Sequence, residues 1–217
     1  MTKRTAYDEK LERILRVAAD IFARKGYHQA SIRDIARATE VSLSGLYYYF
    51  DSKEELLFLI QDHAFGTLLR RLDRVLAREE DPRRRLHLLI ENHLRFFIGN
   101  MAEMKVLSHE ADSLSGEFRR IVDTKKRRLT LAARSILEEL NPDPAVDLRT
   151  ATFALFGMMN WIYNWYREDR DMPPEELAEH MTQLFLGGFL QEGNLDNVPS
   201  GDPSAEGDTR IWSSGPG

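Results

Sequence analysis

Apolar residues recur at helical spacing along almost the whole chain, and no stretch alternates apolar and polar residues as a half-buried strand does. The first segment, around Leu11, Ile14 and Leu15, is followed by Gly26, which suits a left-handed helix cap. Prolines punctuate the edges of the later segments. We therefore predict an all-α fold of about nine helices. The predicted helices span residues 8–25, 31–39, 42–48, 52–78, 82–99, 101–114, 116–140, 145–167 and 174–190.

The residue content excludes several kinds of site. The 217 residues include no cysteine, which removes disulfides, thiol nucleophiles and cysteine zinc sites. The chain also has no HExxH, GxGxxG, GxxxxGK[ST] or GxSxG motif. We therefore expect no catalytic residue, no metal and no cofactor. Residues 153–166 form the longest nearly apolar stretch and fall short of the roughly 20 residues that cross a bilayer, so we expect a cytoplasmic protein with no membrane partner.

Residues 31–42 have the sequence form of a helix-turn-helix. Ser31 and Asp34 suit an N-cap and a first-turn acid, and Ser42 suits the cap of a second short helix. Val41 lies in the turn, where an apolar side chain packs between the two helices. Three tyrosines follow at positions 47 to 49, and Ser52 is placed to cap a long helix. These features together predict a small DNA-binding unit at the N-terminus.

Residues 8–60 resemble the DNA-binding domain of TetR/AcrR-type transcriptional regulators. The resemblance is carried by Ala18, Phe22, Gly26, Tyr27, Ser31-Ile-x-x-Ile-Ala, Val41-Ser42 and Leu46-Tyr47-x-Tyr49-Phe50-x-Ser52-Lys53-Glu54-Glu55-Leu56. It implies a three-helix DNA-binding domain over residues 1–51 and a ligand-binding and dimerisation domain over residues 52–190. Residues 191–217, rich in Gly, Pro, Ser and acidic residues, are predicted to form a flexible acidic tail. Leu43, Ser44 and Gly45 depart from the polar residues common in the family.

The resemblance and the chemistry of the side chains together select the residues that would contact operator DNA. Ser31, Tyr47 and Lys53 stand near helix starts and suit phosphate contacts, whereas Arg33 and Tyr48 suit base edges. The predicted DNA-binding residues are Ser31, Arg33, Ser42, Ser44, Gly45, Tyr47, Tyr48 and Lys53. Tyr49 and Phe50 are instead predicted to seal the core of the domain.

The charge of the whole chain hides an uneven distribution. Its net charge of −5 argues against nucleic acid as a partner. Residues 1–50, however, carry nine basic and six acidic side chains, whereas residues 51–217 carry 21 basic and 29 acidic ones. The excess of positive charge therefore lies in the segment predicted to bind DNA.

A polar stripe on an otherwise apolar helix predicts where a ligand binds. Asn160, Asn164 and Arg167 share one face of the predicted helix 145–167 with Phe153 and Gly157, which fits either a pocket or a close helix crossing. His93 falls on the apolar face of its predicted helix. It is either a ligand contact or a hydrogen-bonded core residue. Lys125 is either an inward cation or part of a solvated face. The predicted ligand-binding residues are His93, Phe97, Lys125, Phe153, Gly157, Asn160, Trp161, Asn164 and Arg167.

The segment from His109 to Trp161 resembles, more loosely, regulators of fatty-acid and steroid catabolism that respond to acyl-CoA thioesters. This implies an acyl-CoA as the small-molecule effector. The alternative is an efflux-type regulator of aromatic or cationic compounds, whose pocket would need a buried acid, with only Glu110 and Asp112 as candidates. A helical enzyme or protein adaptor is a third possibility, but it leaves the residues from Tyr47 to Lys53 unexplained.

The last predicted helix has a broad apolar face that suits association with a second copy of the chain. We predict a dimer interface at Met181, Leu184, Phe185 and Gly188. A homodimer would present two DNA-binding domains to a pseudo-palindromic operator. The sequence thus predicts a ligand-responsive, homodimeric transcriptional repressor rather than an enzyme.

Overall fold

The computed structural model describes residues 6–110, 112–142 and 146–189, and within these ranges it contains ten α-helices and no strand. The predicted all-α fold is confirmed. The helices are α1 (Ala6–Lys25), α2 (Ile32–Thr39), α3 (Leu43–Leu46), α4 (Lys53–Leu76), α5 (Pro82–Ile98), α6 (Met101–His109), α7 (Gly116–Leu140), α8 (Leu148–Asn160), α9 (Ile162–Trp165) and α10 (Pro174–Phe189). None of the described helices combines the length and hydropathy of a membrane span. The predicted tail lies outside the described residues.

Three predicted helices differ from the observed ones. The predicted helix 101–114 ends at His109. The predicted helix 145–167 is divided into α8 and α9 at Trp161, where the Asn164 N–H bonds to the Trp161 carbonyl three residues back (3.0 Å) and tightens the turn. The predicted helix 42–48 is only the single turn of α3, and Tyr47 to Tyr49 continue as a turn. The division of one predicted helix accounts for ten helices instead of nine.

Side-chain caps explain why several helices begin where they do. The hydroxyl of Ser42 accepts the Gly45 N–H (3.1 Å), and that of Ser52 accepts the Glu55 N–H (3.0 Å). Asp81 accepts two N–H groups at the start of α5, whose first residue is Pro82. Each cap satisfies N–H groups that have no partner within the helix.

Buried apolar side chains form two clusters, and α4 contributes to both. Its first half places Leu56, Leu57 and Ile60 in the cluster of the predicted DNA-binding domain, which also holds residues of α1, α2 and α3. Its second half places Leu68 and Leu72 in the cluster of the predicted ligand-binding domain. The first cluster further includes Val106, Leu114 and Val122 from the chain around α6 and α7. The DNA-binding unit is thus packed directly on the C-terminal helices, and the division at residue 51 stays a prediction.

Candidate DNA-binding surface and ligand pocket

The start of α2 is fixed by a capping box. The Asp34 N–H donates to the Ser31 hydroxyl (3.2 Å), and the Ser31 N–H donates to the Asp34 carboxylate (3.0 Å). Lys25 lies 2.9 Å from the same carboxylate. The Lys25 ammonium, followed by the Ser31 donors, holds the pKa of Asp34 well below its usual range. This cap orients the first helix of the predicted DNA-binding pair.

Replacing Asp34 by asparagine is expected to destabilise the protein at neutral pH and to matter less in acid. Because the folded-state pKa lies below the ordinary value of 3.8, the carboxylate stabilises the fold above pH 3.8, and this contribution is lost as the pH falls further. Urea unfolding of both proteins across this pH range checks the prediction. The difference in unfolding free energy should narrow below pH 3.8, and a constant difference would contradict it.

Helix α3 packs closely on the preceding turn at Gly45. A Cβ atom at Gly45 would lie 2.9 Å from the Val41 side chain and 3.0 Å from the Ser42 hydroxyl. The chain enters this turn through Glu40, which has a left-handed φ of 56°. Gly45 therefore has a packing role that the sequence analysis did not assign, and its contact with DNA stays a prediction.

The turn after α3 presents aromatic side chains to solvent. Tyr47 is 49% exposed and Tyr48 is 73% exposed. Phe50, in contrast, is buried, and the half-buried Tyr49 stacks on Tyr7 at 4.9 Å between ring centres. Phe50 and Tyr49 thus pack against the domain core as predicted. The other exposed residues among the predicted DNA contacts are Ser31, Arg33, Ser42 and Ser44.

Lys53 has structural contacts that the sequence did not reveal. Its ammonium donates to the carbonyls of Tyr27 (3.0 Å), His28 (3.2 Å) and Ala30 (3.2 Å), and lies 4.6 Å from the centre of the Tyr27 ring. A positively charged lysine in the first turn of a helix is unfavourable, because it lies at the positive end of the helix dipole. Its presence there indicates that the ammonium has another partner. Lys53 fastens the loop after α1 to the start of α4, and its phosphate contact stays a prediction.

A cavity of about 290 Å³ lies in the C-terminal domain. Side chains from α4 to α8 enclose it, and most of them are apolar. The lining residues are Phe65, His93, Phe97, Met104, Leu107, Ser108, Lys126, Leu129, Thr130, Phe153, Phe156 and Asn160. Four of the predicted ligand-binding residues, His93, Phe97, Phe153 and Asn160, therefore line one pocket. It has the size and apolar lining of a small-molecule site.

His93 is the most deeply buried polar residue of this pocket, with 3% of its surface exposed. Its ring stacks on Phe97 at 4.0 Å, and its Nε2 lies 2.9 Å from the Asn160 Oδ1. Burial lowers the pKa of His93 to about 4, so the imidazole is neutral near pH 7. His93 is thus both a hydrogen-bonded core residue and a pocket residue.

The cation of the pocket is Lys126 rather than the predicted Lys125. Lys125 points to α4, where its ammonium lies 2.5 Å from the Asp62 carboxylate. Successive helical residues differ in direction by about 100°, so the next residue faces the pocket instead. The Lys126 ammonium lies 5.6 Å from the centre of the Phe65 ring, and burial lowers its pKa. The Asp123 and Asp112 carboxylates, which pair with Arg119, raise the pKa of Lys126 by less than burial lowers it, and no described carboxylate forms an ion pair with Lys126.

None of the described residues that line the pocket is acidic. Asp112, one of the two acids considered for a cation site, is exposed and pairs with Arg119 at 3.1 Å. Glu110 accepts a hydrogen bond from the Ser113 hydroxyl (2.7 Å) and lies outside the lining. The pocket therefore carries a positive rather than a negative group.

The predicted polar stripe of α8 and α9 does not face a single pocket. Gly157, Trp161, Asn164 and Arg167 are exposed and lie outside the lining, because α8 buries the opposite face at Ala151, Thr152, Leu155 and Met159. A Cβ atom at Gly157 would meet nothing within 4 Å in the chain. Of the stripe, only Phe153 and Asn160 line the pocket.

The four residues of the predicted dimer interface on α10 divide between a buried and an exposed face of the helix, and the interface itself stays a prediction. Met181 and Phe185 are buried in the core of the same chain, where α10 packs mainly against α5. Leu184, in contrast, is 74% exposed, and Gly188 is exposed as well. Phe153, 53% exposed, and Trp161, 61% exposed, add apolar surface on α8 and just beyond it. Exposed apolar side chains thus lie on α8, just beyond it and on α10.

Comparisons with known proteins agree with this arrangement. A crystal structure of a TetR-family transcriptional regulator from Bordetella parapertussis is 37% identical, with a TM-score of 0.77, over 83% of this chain and 95% of that one. The structure of AibR in complex with isovaleryl coenzyme A and operator DNA is 26% identical, with a TM-score of 0.73, over 81% and 97%. The fatty acid metabolism regulator protein of Bacillus subtilis is 23% identical over 83% and 95%.

Two family matches cover most of the chain. Residues 14–60 match the family described as bacterial regulatory proteins, tetR family, and residues 79–189 match the tetracyclin repressor-like C-terminal domain. They confirm the prediction of a DNA-binding transcriptional regulator rather than an enzyme. With an N-terminal helix-turn-helix and a helical C-terminal domain that both match it, the chain belongs to the TetR family of regulators.

Proposed function

We propose that this regulator is a homodimeric repressor that leaves a pseudo-palindromic operator when its pocket binds an acyl-CoA thioester. The observation that carries the choice of ligand is Lys126, a half-buried ammonium without an ion-pair partner among the described residues. The relatives support the same ligand class, since AibR was solved with isovaleryl coenzyme A and the Bacillus relative regulates fatty acid metabolism.

The composition of the pocket suits an acyl-CoA better than an aromatic cation. Aromatic and aliphatic side chains, including Phe97, Met104 and Leu129, suit the acyl chain. A partly desolvated ammonium without a carboxylate in contact with it is stabilised when a phosphate oxygen approaches, because the charged hydrogen bond replaces lost hydration. A cationic ligand would meet Lys126 and no acidic side chain in the lining. We therefore favour the acyl-CoA over the efflux-type alternative.

The surface of α8 and α10 supports the proposed homodimer. Phe153, Trp161 and Leu184 leave a large apolar area in contact with water, and such patches commonly mark interfaces. Gly157 and Gly187 have open space at the Cβ position, which lets a helix of a second copy approach closely. Packing α8 and α10 of one protomer against those of its partner would cover this surface.

Helix α6 connects the pocket to the DNA-binding domain. It supplies Met104, Leu107 and Ser108 to the pocket, while its Val106 is buried in the cluster of the DNA-binding domain. A ligand that displaces α6 therefore displaces a part of the support of α1. In the proposed mechanism, this changes the spacing of the two DNA-binding domains so that it no longer matches the operator.

Replacing Lys126 by methionine is expected to weaken acyl-CoA binding about tenfold or more, because the phosphates lose their charged partner in the pocket. Titration calorimetry with isovaleryl-CoA and hexanoyl-CoA measures the loss. Arg127→Met removes the same charge from an exposed neighbouring position and should leave the affinity unchanged.

Fluorescence anisotropy with labelled operator DNA tests the regulatory step. Acyl-CoA should release the DNA from the parent protein, and a higher concentration should be needed for Lys126→Met. A thermal shift with the aromatic cation ethidium but with neither thioester would overturn the proposed ligand class and favour the efflux-type alternative.

A further inference from the structure

Leu43 is an apolar side chain on the exposed surface of the helix-turn-helix. It is the first residue of α3, the second helix of the pair, and 38% of its surface is exposed. Its neighbours Ser42 and Ser44 are also exposed, and their hydroxyls lie 3.2 Å apart. The turn that follows exposes Tyr48. Leu43 therefore lies in the surface that holds the predicted DNA contacts, although it is not one of the residues predicted for it.

The core of the domain does not account for the side chain of Leu43. Val41, Leu46 and Phe50 close the apolar cluster around α3, and Leu46 is fully buried. Leu43 is not among the described residues that form this cluster or pack against it. It serves the fold through its backbone, because its carbonyl accepts the Tyr47 N–H (3.0 Å). The exposed side chain is thus available for a contact outside the chain.

The place of α3 in the fold indicates where that contact lies. Residues 14–60 match the tetR family of bacterial regulatory proteins, and this range includes both helices of the helix-turn-helix. In a helix-turn-helix, the second helix enters the major groove of DNA, and residues near its start contact the base edges. Leu43 is the first residue of that helix. The edges of the bases are therefore the groups that its side chain can reach.

The chemistry of the base edges narrows the contact to one group. The major groove presents hydrogen-bond donors and acceptors, and its apolar group is the 5-methyl group of thymine. Leucine has neither donor nor acceptor, so against a polar base edge it would displace water without replacing the lost hydrogen bonds. Against a thymine methyl group it removes apolar surface of both partners from water. The hydroxyls of Ser42 and Ser44 can pair with more than one base and discriminate less.

We infer that Leu43 reads the 5-methyl group of a thymine in each half-site of the operator. This inference rests on the operator binding of the proposed function and adds a base-specific contact to it. It assigns part of the sequence specificity to a residue that makes no hydrogen bond with its side chain.

Removal of the methyl group from the DNA tests the inference without a change in the protein. The parent protein first selects an operator from a library of random duplexes, and each thymine of a half-site is then replaced in turn by deoxyuridine. Deoxyuridine keeps every hydrogen-bonding group of thymine and lacks only the methyl group. Fluorescence anisotropy with labelled DNA measures the affinity.

At one thymine position, the replacement should weaken binding about fourfold in one half-site and about fifteenfold in both, as expected for the loss of one buried methyl group per half-site. The absence of such a position would overturn the inference and leave the proposed function standing. Failure of the parent protein to select any DNA sequence would overturn the proposed function itself.

Variants of the protein assign the methyl contact to Leu43. In Leu43→Ser, deoxyuridine at that position should no longer lower the affinity, and circular dichroism should show an unchanged melting temperature because the side chain lies outside the cluster. Leu43→Met keeps an apolar side chain of similar size and should keep the effect. The matched control is Tyr48→Ala, which removes a neighbouring exposed ring. It should weaken binding to both DNAs and keep the deoxyuridine effect. An effect that persists in Leu43→Ser, or that disappears in Tyr48→Ala, would overturn the inference.

Discussion

Replacing Gly157 by arginine is expected to convert the proposed dimer into a folded monomer and to weaken operator binding by about a hundredfold or more, because two linked DNA-binding domains bind far more tightly than one. The chain itself tolerates the side chain, since nothing lies within 4 Å of the Cβ position. Arginine also favours a helix by roughly 1 kcal/mol relative to glycine. Only a second copy packed closely on α8 would be displaced by it.

Sedimentation velocity measures the oligomeric state of Gly157→Arg, and circular dichroism measures its thermal stability. The parent protein should sediment as a dimer and the variant as a monomer with an unchanged melting temperature. Leu131→Arg is the matched control, because Leu131 is an exposed apolar residue of α7, outside the surface of α8 and α10. Dimerisation of Gly157→Arg with unchanged affinity would place the interface elsewhere.

Replacing Tyr47 and Lys53 one at a time by alanine is expected to separate the loss of operator affinity from the loss of domain stability. Tyr47→Ala removes a half-exposed ring and should weaken operator binding about tenfold with little change in melting temperature. Lys53→Ala removes three hydrogen bonds to backbone carbonyls. The three bonds share one half-buried ammonium and together contribute about 2 kcal/mol, so the melting temperature should fall by roughly 5 °C.

The dependence of operator affinity on salt concentration decides whether Lys53 also contacts a phosphate. Loss of one phosphate contact lowers the slope of log K against log salt by about one, whereas loss of a structural contact leaves the slope unchanged. Both variants should remain dimers in sedimentation velocity. Unchanged operator binding by Tyr47→Ala and Lys53→Ala together would contradict the proposed DNA-binding surface.

Local chemistry made the N-terminal part of the fold predictable. Ser31, Ser42 and Ser52 cap their helices through N–H groups three residues away, so the sequence alone contains both partners of each contact. The carbonyls held by Lys53 lie 23 to 26 residues earlier in the chain. No local pattern specifies such a contact, and its role became visible only in the folded chain.

For the C-terminal site, the sequence predicted which types of residue take part better than it predicted which side chains point into the pocket. His93 and Asn160 interrupt apolar faces and do meet in the pocket. Lys125 and Lys126 are adjacent in a charged run, and the apolar phase of α7 is too broad to decide which one points inward. For Met181 and Phe185, periodicity identifies an apolar face, but it does not show that α5 of the same chain covers it.

The sharing of α4 between two apolar clusters limits how such a regulator could be recombined. A hybrid that joined a foreign DNA-binding segment at residue 51 would keep Leu56, Leu57 and Ile60 of this chain beneath side chains that were selected to fit another helix. Val106, Leu114 and Val122 would face the same mismatch. A hybrid with a new operator specificity therefore needs the first half of α4 from the foreign protein, and these three positions need to be repacked. A single junction in the chain does not separate the two apolar clusters.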